Sequence, residues 1–121
     1  MAKQTEIGKE GEAAARKYLE EHGYTILQMN WHWHHYELDI VAAKAGELVV
    51  VEVKTRVADY WVDPADAIDR GKIKRIVAAA DAYVRLNQLD WPVRFDIMIL
   101  LGSDGAYQIE HIEDAFYAPC R

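Results

Sequence analysis

The sequence predicts an α/β fold with the element order αβββαββ. Two segments carry apolar residues at helical spacing, and five shorter segments are rich in β-branched residues and are bounded by turn signals. The chain has 121 residues, 51% of them hydrophobic and 28% charged, which is typical of one globular domain. We therefore expect a single domain over residues 1–121, because the sequence contains no internal repeat, low-complexity tract or linker.

Each of the two predicted helices is marked by an apolar stripe and by end signals. The first spans about residues 6–22 and ends before Gly23, a residue typical of helix C-termini. Its stripe consists of Ile7, Gly11, Ala14, Ala15, Tyr18 and Leu19. The second is predicted to span about residues 64–86, with Asp63 as its N-cap and a proline at its first position. Gly71 is a candidate break in this helix, after which the apolar stripe resumes.

The five predicted strands form two groups. The segments "YTILQMNW", "YELDIVAA" and "ELVVVEVKTR" follow one another with short turns and predict a three-strand meander. The segments "PVRFDIMILL" and "AYQIEHI" follow the second helix and are joined by the turn signal "GSDG". Because Arg94 and Asp96 share a face of the fourth strand, we expect them to form a structural ion pair at the border of the sheet.

The chain lacks the sequence signals of a membrane or secreted protein. Its longest apolar runs, "IVAA" and "IMILL", are far shorter than the roughly 20 residues of a membrane span, and its first residues lack the apolar block of a secretory signal. We therefore expect a cytoplasmic protein with no membrane partner. The single cysteine, Cys120, excludes an intrachain disulfide and a cysteine-type zinc site.

The second and third strands each contain an acid within an apolar run. If the turn between them centres on Ala45 and Gly46, opposed residues have numbers that sum to 91, so Asp39 faces Glu52. The two-residue period of a strand places Lys54 on the same face as Glu52. This register predicts that two acids and a lysine converge on one face of the sheet.

A divalent metal ion would explain this convergence. Facing carboxylates destabilise a sheet and resist joint ionisation unless a cation lies between them. Oxygen ligands without cysteine favour magnesium or manganese over structural zinc. The alternative is a solvated polar face on which Asp39, Glu52 and Lys54 form a cross-strand ion pair.

The same residues belong to a longer pattern that resembles a known family. The segments "GKEGEAAARKYLEEHGYTIL", "ELDIVA", "VVVEVKTR", "PADAID", "KIKRIVAAADAYV" and "RFDIMIL" resemble the YraN-like family, uncharacterised protein family 0102, over nearly the whole chain. The acid followed by Glu-x-Lys resembles the PD-(D/E)xK nuclease superfamily. The resemblance implies an αβββαβ restriction-endonuclease-like core, similar to archaeal Holliday-junction resolvases, with a central mixed sheet flanked by helices and one added C-terminal strand.

The resemblance also implies roles for individual residues. It implies that Asp39 and Glu52 are metal ligands, that Lys54 is the catalytic lysine, and that Glu12 of "GKEGE" is a further acid of the site. In hydrolysis of a phosphodiester bond, Lys54 would orient or help deprotonate the attacking water and offset the charge that develops in the transition state. Glu12 would add a ligand directly or through water. Its alternative is an ordinary solvated helix acid paired with Arg16, four residues further along.

The charge distribution bears on the expected partner. The net charge is −6, whereas DNA-binding domains are typically basic, but five basic residues and one acid lie between residues 70 and 85. We expect the following residues to contact phosphates: Arg56, Lys72, Lys74 and Arg75. The expected partner is therefore nucleic acid, most directly DNA with branches or ends. Because phosphate contacts carry no sequence information, we expect this DNA to be recognised by its structure and not by its base sequence. The alternative for these residues is a solvated helix face.

Two further points stay open at the level of sequence. One is the segment "NWHWHH", in which His32 and His34 would share a face if extended and form a zinc pair, and Trp31 or Trp33 would stack on an unpaired base. Its alternative is that these aromatics pack at the rim of the core. The other is the function class, because a non-catalytic module that binds nucleic acid or a protein partner could retain the nuclease fold. A homodimer is also left open.

Overall fold

The computed structural model describes residues 4–56, 69–103 and 106–117. The described elements follow the predicted order αβββαββ. They are α1 (Gln4–Glu21), β1 (Thr25–Trp33), β2 (Tyr36–Lys44), β3 (Glu47–Arg56), α2 (Arg70–Leu86), β4 (Val93–Ser103) and β5 (Ala106–Phe116). Within these residues, no helix is long and apolar enough to cross a lipid bilayer.

The five strands form one mixed sheet in the order β1-β2-β3-β4-β5. Neighbouring strands are antiparallel except for β3 and β4, which are parallel. Parallel neighbours need a long crossover connection, and here that connection carries α2. The predicted central mixed sheet flanked by helices, with an added C-terminal strand, is therefore confirmed.

The β2–β3 hairpin has the predicted turn and register. Ala45 and Gly46 have φ angles of 52° and 78°, and two successive positive values are the mark of a type I′ turn, which matches the twist of the flanking strands. Backbone pairing runs from Lys44–Glu47 at the turn to Ile40–Val51, and in every pair the residue numbers sum to 91. The paired positions end one residue before Asp39 and Glu52, where the N–H of Val53 donates to the side chain of Asp39.

The two helices cover opposite faces of the sheet. Val49 and Val51 of β3 belong to a core that includes Ala15 and Leu19 of α1, whereas Leu48 and Val50 belong to a core that includes Ile76, Ala79 and Ala80 of α2. Because β3 is buried on both faces, its sequence is a continuous apolar run rather than an alternating one. The acid that ends this run, Glu52, is therefore carried into the interior.

The N-terminal helix ends and packs as its glycines indicate. Gly23 has a φ of 87°, and the backbone N–H of Tyr24 donates to the carbonyl of Leu19, which closes the last turn. Gly11 faces β3 so closely that an added Cβ would collide with the side chain of Thr55. This close approach brings the next residue, Glu12, to the sheet.

The start of α2 differs from the sequence-based expectation. Asp69 has extended backbone angles, φ −89° and ψ 168°, and its side chain accepts a hydrogen bond from the backbone N–H of Lys72 at 2.7 Å. α2 therefore begins at Arg70, with the carboxylate of Asp69 capping its first turn, and Gly71 lies inside the helix and is not a break. The predicted N-cap Asp63 and first position Pro64 lie outside the described residues.

The predicted Arg94–Asp96 ion pair is confirmed and is part of a larger buried network. Asp96 is fully buried and accepts hydrogen bonds from Arg94 at 2.8 and 2.9 Å, from His111 Nε2 at 2.7 Å and from the backbone N–H of Asp114 at 3.0 Å. Arg94 also donates to the hydroxyl of Tyr24 at 2.6 Å. Burial raises the pKa of Asp96, but these hydrogen bonds outweigh it and leave the pKa below its ordinary value.

Candidate metal centre

The predicted acids line one cavity between the β2–β3 hairpin and the first turns of α2. This cavity, here called the acidic cavity, has a volume of about 220 Å³. Its lining residues are His35, Tyr36, Glu37, Asp39, Glu52, Lys72, Arg75 and Ile76. The structure therefore brings Asp39 and Glu52 together, as the hairpin register predicts, and adds α2 as the opposite wall.

Asp39 is held at the end of the β2–β3 ladder by a backbone hydrogen bond. The N–H of Val53 donates to Asp39 Oδ2 at 2.9 Å. Burial, the charge of Glu52 and the charge of Glu12 raise the pKa of Asp39 to about 8, against the lowering effect of the Val53 N–H. The carboxyl group of Asp39 therefore lacks a cation that would stabilise its ionised form at neutral pH.

Glu52 lies deeper and is approached by two ammonium groups. Its side chain is only 5% exposed, and Lys72 Nζ lies 2.6 Å from Glu52 Oε1. Lys54 Nζ lies 3.9 Å from the same oxygen, with its side chain 19% exposed. Lys54 is therefore at the site as predicted, whereas Lys72, predicted to contact phosphate, pairs with an acid of the site.

The pKa values of the two lysines are shifted in opposite directions. Burial, followed by the nearby Lys72, lowers the pKa of Lys54 below its ordinary value. For Lys72, burial acts in the same sense, but the hydrogen bond with Glu52 outweighs it and raises the pKa. Lys54 is consequently the lysine that gives up a proton more readily, which suits a group that assists an attacking water.

Two further acids complete the cluster around Asp39. Glu12, Glu37 and Asp39 can each place one ligand oxygen within 4.8 Å of the others. Burial raises the pKa of Glu12, a hydrogen bond with the Asn30 side chain lowers it, and the charges of Glu37 and Glu52 raise it again. The net effect is a raised pKa. The third carboxylate that the family resemblance implies thus lies beside the predicted pair.

The alternative for Glu12, a surface ion pair with Arg16, is not formed in the structure. Arg16, the residue expected to pair with it on the helix surface, lies 3.6 Å from Glu20 in an exposed i,i+4 ion pair. Glu12 is instead half-buried and lines a second cavity of about 360 Å³ with Gly8, Lys9, Asn30, His32 and Glu37. Since Glu37 lines both cavities, the acids lie between an open space beside α1 and another beside α2.

Glu37 is the acid that the sequence analysis did not single out. A signal for it exists in "ELDIVA", because Glu37 precedes Asp39 by two residues and the period of a strand places both on one face. Its side chain also lies 3.4 Å from His32 Nε2. Glu37 differs from Asp39 and Glu52 in being exposed, so it lies at the mouth of the site.

The basic residues predicted to bind phosphate take different positions. Arg75 lines the acidic cavity together with Lys72, and Lys74 is exposed on α2. Arg56, at the end of β3, is half-buried, and its Nη1 donates to the carbonyl of Thr55 at 3.0 Å. Positive charge is thus present at the acidic cavity itself and on the adjoining surface of α2.

The "NWHWHH" segment consists of the last residues of β1, up to Trp33, and the tight turn that follows them. His34 has a φ of 57° and lies in the two-residue turn between Trp33 and Tyr36, so it does not continue the strand face that carries His32. A zinc pair of His32 and His34 is therefore wrong. Trp31 packs edge-on against Tyr83 of α2, with ring centroids 5.2 Å apart, as the rim-packing alternative predicts.

The donor chemistry of the site fits magnesium or manganese. Four carboxylates, those of Glu12, Glu37, Asp39 and Glu52, surround the site, whereas two lysines approach it. A divalent cation would supply the positive charge that this surplus of acids lacks, and oxygen ligands suit magnesium and manganese. The oxygens within 4.8 Å of one another belong to Glu12, Glu37 and Asp39, and Glu52 lines the acidic cavity with Asp39 and Glu37, so these four acids are the candidate ligands.

Comparison with known proteins gives a consistent family. A family model described as Uncharacterised protein family UPF0102 matches residues 11–100, a range that includes every acid and lysine of the site. The UPF0102 protein of Parabacteroides distasonis is 62% identical over 121 residues, which cover 100% of both chains. That of Bacteroides thetaiotaomicron is 57% identical over 119 residues, 98% of each chain. That of Porphyromonas gingivalis is 45% identical over 118 residues, 96% of this chain and 87% of the relative.

Proposed function

The chain belongs to Uncharacterised protein family UPF0102, and we propose that it is a metal-dependent nuclease of the PD-(D/E)xK superfamily that hydrolyses phosphodiester bonds in DNA. The observation that carries this proposal is that Asp39 and Glu52 line one acidic cavity and that Lys54 Nζ lies 3.9 Å from Glu52, the combination that the PD-(D/E)xK pattern implies. A polar face with no ligand to hold would have no physical need for several carboxylates that raise one another's pKa.

Each residue of the site has a separate task in this proposal. Asp39 and Glu52 hold magnesium or manganese, and Glu12 and Glu37 add carboxylate oxygens at its edge. When bound, such an ion supplies positive charge to the phosphate and to the attacking water. Lys54 orients that water or accepts its proton, which its lowered pKa favours.

The form of the site supports recognition of nucleic-acid structure rather than base sequence. Arg75 and Lys72 line the acidic cavity, Lys9 lines the cavity on the other side of the acids, and Lys74 is exposed near the first of these. Cations on both sides of a cluster of acids suit a phosphate backbone that crosses it. We expect branched DNA or DNA ends to be the substrate, because such contacts select geometry.

Cleavage of a set of nucleic acids tests the proposal. Purified protein is incubated with branched, flapped, single-stranded and duplex DNA and the corresponding RNA, in magnesium or manganese. We expect metal-dependent cleavage of branched or flapped DNA that is lost in Glu52→Gln and retained in Asp81→Asn, a change of the same kind at an exposed residue of α2. Absence of cleavage of every substrate in both metals would contradict the proposal.

A non-catalytic module is the second candidate function. The observation that favours it is the net charge of −6, which opposes non-specific binding to a polyanion. Under this candidate, wild type and Glu52→Gln bind branched DNA or a protein partner equally, and neither cleaves the DNA. The cleavage experiment therefore separates the two.

A further inference from the structure

The ammonium group closest to the acids does not belong to the predicted catalytic lysine. Lys72 Nζ lies 2.6 Å from Glu52 Oε1, whereas Lys54 Nζ is 3.9 Å from that oxygen. Lys72 reaches the site from α2, and Glu52 lies on β3, so this contact joins the helix to the buried acid. Lys72 thus occupies a carboxylate oxygen that a metal ion would also need.

The backbone of Lys72 is anchored, and its side chain is partly exposed. Its N–H donates to Asp69 Oδ1 at 2.7 Å, which anchors the residue in the first turn of α2. Its side chain is 36% exposed, in contrast to 5% for Glu52, and the four-carbon stem of lysine can turn without movement of the helix. The ion pair can therefore open by a side-chain rotation alone.

We propose that the Lys72 ammonium is an exchangeable counter-ion, which neutralises Glu52 in the metal-free protein and leaves it when a divalent cation binds. This proposal rests on the proposed metal site. A buried carboxylate that loses its closest cation is costly, so an empty site needs a resident cation, and Lys72 provides one at 2.6 Å. Lys72 and a divalent ion therefore compete for the same oxygen.

The exchange also connects the ion pair of Lys72 with Glu52 to the phosphate contact that the sequence predicts for Lys72. Once it leaves Glu52, its ammonium remains on the wall of the acidic cavity beside Arg75, where a phosphate oxygen of the substrate is its natural partner. Lys72 thus acts as a positioning residue: it holds Glu52 before the ion binds and is released for phosphate afterwards.

Manganese affinity tests the competition. Calorimetric titration with Mn²⁺ is carried out on wild type, Lys72→Met and Arg85→Met, the last of which removes a cation from an exposed ion pair of the same helix, 3.1 Å from Asp81. We expect Lys72→Met to bind Mn²⁺ roughly tenfold more tightly than wild type, since both a competitor and a repelling charge are removed. Arg85→Met should bind as wild type does.

Thermal unfolding gives an independent measurement. Without metal, Lys72→Met should melt below wild type because Glu52 has lost its counter-ion, and saturating Mn²⁺ should close that gap. The gap for Arg85→Met should be the same with and without Mn²⁺. Lys72→Gln, which removes the charge but keeps a hydrogen-bond donor, serves if the methionine variant does not fold, with the same expected rise in Mn²⁺ affinity.

The outcomes separate this inference from the proposed function. If wild type binds Mn²⁺ and the Lys72 variants bind it equally or more weakly, the ion pair is a fixed structural contact and the exchange is wrong, while the metal site stands. If neither wild type nor the Lys72 variants bind Mn²⁺, the metal site and the exchange both fail. If the Lys72 variants bind Mn²⁺ and wild type does not, the exchange is supported, because Lys72 then excludes the ion from the wild-type site.

Discussion

At the scale of single residues, Asp39 shows how folding places a carboxyl group where its ionisation is costly. Burial and the charges of Glu52 and Glu12 raise the pKa of Asp39 from 3.8 to about 8. The folded state therefore holds a proton that the unfolded state releases between these values. The stability contributed by the protonated group is complete below pH 3.8 and is lost as the pH rises through 8.

This shift predicts a pH-dependent difference between wild type and Asp39→Asn in the absence of metal. Asparagine cannot ionise, and its amide oxygen can still accept the N–H of Val53. We expect the melting temperature of wild type to fall relative to Asp39→Asn from pH 4 to pH 8, by on the order of 20 °C, and the difference to be constant above pH 8. Scanning calorimetry in EDTA measures it, with Asp81→Asn as the exposed control. Parallel curves for wild type and Asp39→Asn would contradict the assigned environment of Asp39.

The structure also changes which substitution is informative at this residue. On sequence alone, Asp39→Ala is expected to leave the metal-free protein as stable as wild type, since it relieves repulsion with Glu52. The hydrogen bond from Val53 N to Asp39 Oδ2 adds an opposing effect, because alanine would leave that N–H without its acceptor. Asparagine separates the loss of charge from the loss of the hydrogen bond.

At the scale of secondary-structure elements, the site depends on how closely α1 approaches β3. Gly11 has no room for a Cβ beside Thr55, and Glu12 follows it at the site. Gly8, one turn earlier, has no neighbouring atom within 4 Å of an added Cβ. Gly8 and Gly11 both lie in the helical backbone of α1, but only Gly11 is in close contact with another element.

This difference predicts opposite effects of the same substitution. Gly8→Ala should raise the free energy of unfolding by about 0.5–1 kcal/mol, because alanine has the higher helix propensity. Gly11→Ala should lower it by about 1–3 kcal/mol, because α1 must move away from Thr55, and it should weaken Mn²⁺ binding as Glu12 moves with the helix. Denaturant unfolding measures both variants. Equal stability of Gly8→Ala and Gly11→Ala would show that the close approach is not a constraint.

The elements also show what the sequence could predict and why. The bounds of β3 and the register of the hairpin were predictable, because an apolar run and a two-residue turn are local signals. The N-cap Asp69 was not predicted, since an aspartate within a polar segment is a capping signal that several positions can offer. The pairing of Lys72 with Glu52 depends on where α2 crosses the sheet, which no local pattern determines.

At the scale of the whole molecule, two clusters of polar groups differ in how their acids are stabilised. On the α1 face, Asp96 accepts hydrogen bonds from Arg94, His111 and the Asp114 backbone, and its pKa is lowered. At the end of the β2–β3 ladder, between α1 and α2, Asp39 lies near Glu12 and Glu52, and its pKa is raised. Sequence could predict the pair Arg94–Asp96 but not His111, which β5 supplies. The contrast is consistent with a structural role for Asp96 and with the proposed metal-binding role for Asp39.

We propose that the carboxylates at the acidic cavity hold a divalent metal ion and that Lys54 assists the chemistry without binding this ion. The most direct measurement is calorimetric Mn²⁺ titration of wild type, Lys54→Ala and Asp39→Asn at one pH. We predict that wild type and Lys54→Ala bind with similar affinity and that Asp39→Asn binds at least tenfold more weakly, because a carboxylate ligand is lost. Equal binding by wild type and Asp39→Asn would contradict the account and leave the module without catalysis as the better description of this protein.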